Sequence, residues 1–194
     1  MLPVNNKIIC LLGSSCCGKD TIRNMMINNN IGISAVSTTT RPMRKGEVEG
    51  LNYYYLTQEE FKTRKFVETR EYTVANGDVW YYGYETKEIE SKLAVNNIII
   101  VVDLKGFMDF KAIFGDKVVG AYITLSKDER IRRYLNRDEI TFDVVEEAVR
   151  RIKDDDERAF NYVENWVDLI VENPENSLVA YNEIIKFLRK ENML

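Results

Sequence analysis

The stretch of the chain that decides its fold is residues 7–21, which read KIICLLGSSCCGKDT. Its apolar first part is typical of a buried strand (residues 7–12), and its last part opens a predicted helix (residues 18–28). Gly13 and Gly18 can adopt backbone angles that are closed to other residues, so successive N–H groups can turn inward as a nest for phosphate oxygens. The N-terminus of the helix adds donors and a partial positive charge. The stretch therefore predicts a phosphate-binding loop between a strand and a helix.

The spacing of this loop, GxxxxGK, is that of loops that hold nucleoside triphosphates, and the required strand and helix flank it. Lys19 is expected to place its ammonium on the β- and γ-phosphates. The next position, where a Ser or Thr hydroxyl usually ligates magnesium, holds Asp20, and Thr21 is the nearest hydroxyl. The helix N-terminus and Lys19 would also favour the thiolate form of Cys16 and Cys17. The candidate triphosphate-binding residues are Gly13, Ser14, Ser15, Cys16, Cys17, Gly18, Lys19, Asp20 and Thr21.

The composition is that of a single folded domain, residues 1–194, because 45% of the residues are apolar and 30% are charged. No apolar run approaches the roughly 18 residues that a membrane-spanning helix needs, so we expect no membrane association. Residues 1–12 lack the features of a signal peptide, and the three cysteines have no zinc-binding spacing, which favours a reduced, cytoplasmic protein. The absence of histidine excludes mechanisms that need an imidazole base.

The charge distribution indicates a small anionic ligand. A net charge of −4 argues against broad nucleic-acid binding, which usually requires a basic surplus. Two local basic clusters nevertheless stand out, one formed by Arg41, Arg44 and Lys45 and the other by Arg130, Arg132, Arg133 and Arg137. We therefore expect the chain to bind a small molecule and no nucleic acid.

Strand-like and helix-like segments alternate along the chain. The predicted strands after the loop are residues 98–103, 118–125 and 166–171, and the predicted helices are residues 107–114, 128–137, 142–160 and 177–190. Strands separated by helices are typical of βαβ units, so we expect an α/β fold with a mainly parallel sheet and helices on both faces. Residues 53–84 break this pattern. Their Tyr, Thr and Val content and the turn signal Asn76-Gly77-Asp78 predict a small antiparallel insert with one helix near residues 58–65.

Residues 37–53 indicate a family. They read STTTRPMRKGEVEGLNY and closely resemble the pattern S-x-T-T-R-x-x-R-x-G-E-x-x-G-x-x-Y of the guanylate kinase family. The order of elements along nearly the whole chain agrees with this resemblance. It implies the P-loop NTPase fold, with three layers α/β/α around a parallel core sheet (residues 1–36, 85–125 and 152–194). It also implies a small mixed α+β insert that binds a nucleoside monophosphate (residues 37–84) and a helical lid (residues 126–151).

The resemblance implies a site for the phosphate of the acceptor nucleotide. Its residues would be Ser37, Arg41, Arg44, Tyr53 and Tyr82. The chemistry of these residues agrees with this role, because paired guanidinium groups bind a phosphate dianion through charge-assisted, bidentate hydrogen bonds. The hydroxyl groups of the serine and the tyrosines would add further donors.

Two short motifs resemble the residues with which the family binds the base. Phe66-Val67-Glu68 resembles F-[IL]-E, whose glutamate accepts hydrogen bonds from N1 and N2 of guanine, a pair of donors that adenine lacks. Residues 81–84, YYGY, resemble Y-Y-G-[ST], in which the last position holds a small hydroxyl that contacts the base. This chain has Tyr84 there. The resemblance implies that Glu68 and Tyr84 bind GMP or dGMP, and the size of Tyr84 keeps another acceptor open.

An acid at the end of the strand before the second helix resembles another family motif. Asp103 matches the second acid of D-[IL]-D-x-x-G, and Val101 stands at the first. Such an acid lies beside the crevice where α/β proteins bind ligands. The resemblance implies that Asp103 orients magnesium-bound water or the acceptor-side arginines. Thr21 and Asp103 are therefore the candidate magnesium residues, and Asp103 also belongs to the candidate GMP-binding set.

The second basic cluster resembles the family's lid. The lid arginines would be Arg133, Arg137 and Arg151, which with Lys19 form the candidate catalytic set. They would bring positive charge onto the migrating phosphoryl group. The glycine that usually follows the lid arginine is Asp138 in this chain.

The implied activity is the phosphorylation of GMP or dGMP by ATP, with Mg²⁺ accompanying ATP. Two alternatives stay open. One is a kinase of the same fold for another nucleoside monophosphate, which Tyr84 and Val101 motivate. The other is a binding module that has lost catalysis and recognises a phosphorylated or acidic peptide, although such modules generally lose the phosphate loop that persists here. A GTP-hydrolysing switch is disfavoured because no N-K-x-D motif occurs. The chain would act as a monomer or a homodimer.

Overall fold

A five-stranded sheet lies at the centre of the molecule, and a four-stranded sheet lies beside it. We describe both from a computed structural model, over residues 5–73, 77–136, 145–146, 149–150, 152–153, 163–174 and 176–194. The strands are Ile8–Leu12 (β1), Ile33–Ser34 (β2), Thr38–Thr39 (β3), Tyr54–Tyr55 (β4), Phe66–Thr73 (β5), Val79–Glu85 (β6), Ile98–Val101 (β7), Val118–Thr124 (β8) and Leu169–Glu172 (β9). The central sheet has the order β2-β7-β1-β8-β9, and each pair in it is parallel.

Helices cover both faces of the central sheet. They are Lys19–Asn28 (α1), Gln58–Lys62 (α2), Thr86–Leu93 (α3), Leu104–Phe114 (α4), Lys127–Leu135 (α5) and Ser177–Lys190 (α6), with 3₁₀ turns at Gly115–Lys117 and Val163–Asn165. On one face α1 and α6 pack in a core cluster with Ile9 and Leu11 of β1. On the other face α3 and α4 pack with Ile8 and Cys10. The predicted α/β fold with three layers is confirmed.

The central position of β1 explains why its sequence is a continuous apolar run. All five of its residues are buried, because β7 and β8 flank it and helices cover both of its sides. The carboxyl ends of β1 and β7 lie next to each other, since Leu11 is paired with Val101. The phosphate loop after β1 and the first turn of α4 after β7 therefore lie at the same edge of the sheet, where open α/β sheets bind their ligands.

The second sheet carries the insert and has the order β4-β3-β6-β5. The long hairpin β5–β6 and the pair β3–β6 are antiparallel, as predicted, but β3 and β4 are parallel. The sheet is therefore mixed, and its one parallel pair involves β3, which precedes the segment predicted to be antiparallel. The helix α2 is shorter than predicted and begins with a capping box, in which Thr57 and Glu60 bond to each other's backbone N–H groups.

Other differences from the sequence-based prediction concern short elements. The helix α3 and the two-residue strand β2 were not predicted, since α3 buries only Ile89 and Leu93 and gives a weak apolar pattern. The helix α4 begins three residues before the predicted position because Asp103 caps it. The predicted helix over residues 142–160 lies mostly outside the described residues, and the division into core, insert and lid stays a prediction. In the part of the chain that the structure describes, no helix is long and apolar enough to cross a membrane.

Candidate active site

The phosphate loop is tightly wound between β1 and α1. Gly13 and Gly18 have φ angles of 138° and 99°, which residues other than glycine rarely adopt. A Cβ atom on Gly13 would lie 2.3 Å from the carbonyl oxygen of Ile123 on β8, so only glycine fits there. Gly18 precedes α1 without a side-chain cap, which leaves the N–H groups of the first helical turn for a ligand.

The lysine of the loop lies across the loop's own backbone. The Nζ of Lys19 donates hydrogen bonds to the carbonyl oxygens of Gly13 (2.9 Å) and Ser14 (2.7 Å). Thr21 and Asp20 are exposed in the first turn of α1, and the carboxylate of Asp20 lies 3.3 Å from the guanidinium of Arg23. This ion pair offsets part of the repulsion that Asp20 would exert on a triphosphate.

The cysteines of the loop differ from the expectation. Cys17 is fully buried, and burial raises the pKa of its thiol; the nearby ammonium of Lys19 offsets this rise only in part. The prediction of thiolate character is therefore wrong for Cys17. Cys16 is buried as well, and its φ angle of 65° makes it an unusual left-handed position for a residue with a side chain.

One predicted lid arginine lies directly beside the loop. The Nη2 of Arg133, on α5, donates to the carbonyl oxygens of Asn173 (2.9 Å) and Pro174 (3.0 Å). Its Nη1 is 3.7 Å from the position of a Cβ on Gly18. Arg130, one turn earlier, is buried, and its charge acts on the thiol of Cys17. The predicted catalytic residues Arg137 and Arg151, and also Asp138, lie outside the described residues.

A fully buried asparagine joins the loop to the last strand. Asn173 follows β9, and its Nδ2 donates to the carbonyl oxygen of Cys17 (2.8 Å) and to the hydroxyl of Ser177 at the start of α6 (3.3 Å). The backbone N–H of Asn173 donates to Thr124 on β8. Because these bonds tie the loop to two other segments, Asn173 fixes its position.

The residues predicted to bind the acceptor phosphate gather around a buried arginine. Arg41 is 4% exposed, and its guanidinium makes two hydrogen bonds to Glu47, at 3.0 and 2.7 Å. It lies over the ring of Tyr53 at 5.3 Å and also interacts with Tyr82, whose ring is 5.9 Å from that of Tyr53. The hydrogen bond from Arg41 lowers the pKa of Glu47 to about 2. Arg41 is thus held in place by a carboxylate that is ionised at neutral pH.

The two other residues of this predicted set lie at its margin. Ser37 is half-buried, and its carbonyl oxygen accepts a hydrogen bond from the backbone of Tyr54 (2.9 Å). Arg44 is exposed, and its backbone N–H donates to Glu47 (2.7 Å). Glu47 therefore joins the loop that carries both arginines into one unit.

The residues predicted to bind the base face each other on neighbouring strands. Glu68 on β5 is paired with Tyr84 on β6, and Tyr84 also packs edge-on against Phe110 at 5.9 Å. Glu68 is buried, and burial raises the pKa of its carboxyl from the usual value near 4.5 to about 7. Burial raises the pKa of Tyr84 as well. At this end of the site burial therefore disfavours the charged forms of both Glu68 and Tyr84.

Asp103 lies at this end and is already engaged. Its Oδ1 accepts a hydrogen bond from the N–H of Gly106 (2.8 Å), which caps α4. Both of its oxygens also accept hydrogen bonds from Arg70, Oδ2 from Nε at 2.7 Å and Oδ1 from Nη2. The arginine that Asp103 engages is thus Arg70, which was not among the predicted acceptor-side arginines, and both oxygens of Asp103 accept hydrogen bonds. No group of three or more His, Cys, Asp or Glu in the described ranges could hold a metal ion.

Two charged residues of α1 lie close enough to the second sheet to act on its tyrosines. Burial raises the pKa of Tyr53, and the carboxylate of Asp20, on α1, is close enough to add to this rise. The guanidinium of Arg23, also on α1, lowers the pKa of Tyr84 in part, against the rise that burial causes. The first two turns of α1 therefore lie within electrostatic range of Tyr53 and Tyr84.

Comparison with known proteins decides the family. The model of the family described as Guanylate kinase matches residues 5–191, which is nearly the whole chain. The chain belongs to the guanylate kinase family. A crystal structure of guanylate kinase from Anaplasma phagocytophilum superimposes with a TM-score of 0.68 at 26% identity, over 97% of this chain and 87% of that one.

Two guanylate kinases show the similarity at the level of sequence. That of Helicobacter hepaticus is 30% identical over 147 residues, which are 72% of this chain and 70% of that protein. That of Anaplasma phagocytophilum is 34% identical over 140 residues, which are 70% of this chain and 65% of that protein. The matched region thus spans about two thirds of the length of each of these guanylate kinases.

Three residues of this guanylate kinase family member belong to the site but were not predicted to have a role in it: Glu47, Arg70 and Asn173. The only available signals were the position of Glu47 in the motif of residues 37–53 and that of Asn173 at a strand end. For Arg70 the sequence gave no signal, because its partner Asp103 is 33 residues away.

Proposed function

We propose that this protein transfers the terminal phosphoryl group of ATP to GMP or dGMP. The observation that supports this best is the arrangement of the second sheet. Arg41, Tyr53 and Tyr82, which would bind the phosphate, interact with one another, and the buried carboxylate of Glu68 lies farther along the β5–β6 hairpin, paired with Tyr84. A nucleoside monophosphate has the same polarity, with a dianion at one end and a base at the other.

The residues of the chain would act by positioning and by charge. The loop from Gly13 to Thr21 and the N-terminus of α1 would hold the triphosphate, with Lys19 on its β- and γ-phosphates. Arg41 and Arg44 would hold the acceptor phosphate in line with the bond that breaks. Arg133, together with Arg137 and Arg151, would stabilise the negative charge of the transferring group. No general base is needed, because the acceptor phosphate is already an anion.

The base would be read by Glu68. Its ionised carboxylate can accept hydrogen bonds from both N1–H and the N2 amino group of guanine. Adenine presents an acceptor at N1, so it would leave the carboxylate facing a lone pair. Tyr84 lines the same end and would contact the base with its ring or its hydroxyl.

Mg²⁺ would enter with ATP, as is general for ATP-dependent kinases. The hydroxyl of Thr21 fits a place in its coordination shell, because it is exposed in the first turn of α1, two residues after Lys19. Asp103 does not fit as a direct ligand, because Arg70 and the N–H of Gly106 already occupy its oxygens. When bound, the ion would neutralise charge on the β- and γ-phosphates. We also propose that the protein acts in the cytoplasm, as a monomer or a homodimer.

The test is the release of ADP from ATP and Mg²⁺ with GMP, dGMP, AMP, CMP and UMP offered separately. We expect turnover with GMP and dGMP, and loss of turnover in Lys19→Met with an unchanged circular dichroism spectrum. Turnover with another acceptor alone would contradict the proposed specificity and keep the mechanism. The absence of turnover with all five acceptors would contradict the proposal and favour a binding module without catalysis. Turnover that persists in Lys19→Met would contradict the mechanism.

A further inference from the structure

Arg70 occupies a central place at the base end of the acceptor site. It lies on β5 two residues after Glu68, so the two side chains point to the same face of the second sheet. Across the hairpin, Glu68 is paired with Tyr84 and Arg70 with Tyr82. Arg70 therefore lies between the residues proposed to bind the base and a residue proposed to bind the phosphate.

The guanidinium of Arg70 joins two carboxylates of different elements. It makes a bidentate contact to Asp103, with Nε 2.7 Å from Oδ2 and Nη2 bonded to Oδ1. Its Nη1 lies 3.2 Å from Oε2 of Glu68 and donates to the backbone oxygen of Thr69 at 2.6 Å. This fork geometry is specific to arginine, because a lysine ammonium cannot present two parallel donors to a carboxylate.

The surroundings of Arg70 are shaped for it. A Cβ atom on Gly106, in the first turn of α4, would lie 2.9 Å from Nη2 of Arg70. A third carboxylate, that of Asp109 on α4, lies 3.8 Å from Nη1, and the exposed Lys105 is paired with Asp109. Removing the guanidinium would take away the cation that the carboxylates of Glu68, Asp103 and Asp109 share, so these carboxylates would repel one another.

Glu68 depends on Arg70 for its orientation. Within the described part of the chain, Glu68 is buried, is paired with Arg70 and accepts no hydrogen bond through its side chain. A buried carboxylate with one charged partner retains lone pairs for a ligand, and that partner fixes the direction in which they point. Asp103, held by the cap of α4, in turn fixes Arg70.

We propose that Arg70 is a positioning residue of the acceptor pocket, which orients Glu68 from Asp103 and thereby sets the preference for guanine. This inference rests on the proposed function and adds to it the residue through which Asp103 acts. In the described part of the chain the polar partners of Arg70 are Glu68, Thr69, Asp103 and Asp109, and none of them belongs to the phosphate loop or to the residues proposed to bind the acceptor phosphate. Its removal would therefore weaken recognition of the base and spare the transfer step.

The experiment compares Arg70→Met, which removes the guanidinium, with Arg70→Lys, which keeps the charge and loses the fork. Arg64→Met is the matched control, since Arg64 lies on the same insert, is 43% exposed and is paired only loosely with Glu85 at 3.8 Å. The kcat and KM values are measured with GMP, IMP and AMP. IMP retains N1–H and lacks the 2-amino group.

For Arg70→Met we expect the KM for GMP to rise roughly tenfold, which corresponds to the loss of one hydrogen bond between guanine and a misoriented Glu68. The kcat should stay within about threefold of wild type. The ratios of kcat/KM for GMP over IMP and over AMP should fall, Arg70→Lys should restore them in part, and Arg64→Met should leave them unchanged. Unchanged ratios in a folded Arg70→Met variant would overturn the inference. An equal loss with all three acceptors would overturn it too, because it indicates a purely structural role.

Binding measurements separate this inference from the proposed function. Isothermal titration calorimetry with GMP and IMP needs no turnover. If the wild type binds GMP without phosphorylating it, the proposed function fails, and a weaker GMP affinity in Arg70→Met still supports the inference. If the wild type does not bind GMP, or binds it as tightly as Arg70→Met does, the inference fails.

Discussion

The substitution Glu68→Gln tests how the base is recognised with the smallest change in shape. The glutamine side chain has the same size and keeps one acceptor oxygen, but its NH₂ group replaces the second acceptor by a donor. Glu68 is 8% exposed, so water cannot compensate well for a lost contact. The amide donor would face one of the two N–H groups of guanine. Adenine presents an acceptor at N1 beside the donor at N6, so the amide would complement it.

The magnitude follows from the number of hydrogen bonds that change. A hydrogen bond to a charged group contributes about 1.5–3 kcal/mol. Losing one of two such bonds, at about 2 kcal/mol, corresponds to roughly a 30-fold decrease in kcat/KM for GMP. We expect kcat/KM for AMP not to fall, so the ratio of GMP to AMP should decrease by at least the same factor. The free energy of unfolding at pH 8 should not decrease, because the substitution removes a buried charge whose desolvation is costly.

The assay is steady-state kinetics with GMP and AMP at saturating ATP, together with urea denaturation at pH 8. Glu71→Gln is the matched control, since Glu71 lies on the same strand, is exposed and points to the opposite face. It should leave both acceptors unaffected. A kcat/KM for GMP within twofold of wild type in Glu68→Gln, with an unchanged ratio to AMP, would refute the assignment of Glu68 to the base.

Three further predictions follow from particular contacts. Burial raises the pKa of Glu68 to about 7, and only its ionised form accepts two hydrogen bonds. The KM for GMP should therefore rise by up to tenfold per pH unit as the pH falls below about 7. A KM that does not change between pH 6 and 8 would contradict this. Gly13→Ala should lower the free energy of unfolding by more than about 2 kcal/mol, because the new Cβ would collide with the backbone of Ile123. Gly46→Ala is the control, since Gly46 has a φ of 88° but no atom within 4 Å of an added Cβ, and it should cost only about 1 kcal/mol of backbone strain. Equal effects of the two substitutions in thermal denaturation would show that the collision is unimportant. The buried thiol of Cys17 should react with iodoacetamide only when the protein unfolds. ATP should therefore change the rate of labelling only as far as it stabilises the folded protein. Fast labelling of Cys17 in the native protein would contradict its burial.

Much of the fold could be predicted because its signals are local. The continuous apolar run of β1 and the glycine spacing after it lie within residues 7–21, and each feature has one structural solution. The longest helix among the described residues, Ser177–Lys190, was predicted with its observed ends. The elements that escaped prediction are short, such as β2 with two residues and α3 with two buried side chains. Short elements are stabilised by their neighbours rather than by their own sequence pattern.

The candidate site was predictable to the extent that its residues lie in contiguous motifs. The structure brings together the loop residues, the cluster of Arg41, Tyr53 and Tyr82, and the pair of Glu68 and Tyr84, as the motifs predicted. Their roles in binding and catalysis stay predictions. The role of Asp103 beside magnesium also stays a prediction, and the sequence could not identify Arg70, the charge partner that the structure places on it.

By itself the sequence determined the phosphate loop, the parallel α/β core and the resemblance of residues 37–53 to the guanylate kinase family, because each of these depends on the order of neighbouring residues. The tertiary structure alone decided which charges meet. Arg70 and Asp103 are 33 residues apart, Arg133 and Asn173 are 40 apart, and Asn173 and Cys17 are 156 apart. Such pairs form only when the register of β5 and β6, the start of α4 and the end of β9 are all fixed. A shift of one residue in β5 would turn Arg70 to the opposite face of its sheet, and no local pattern in the sequence sets that register.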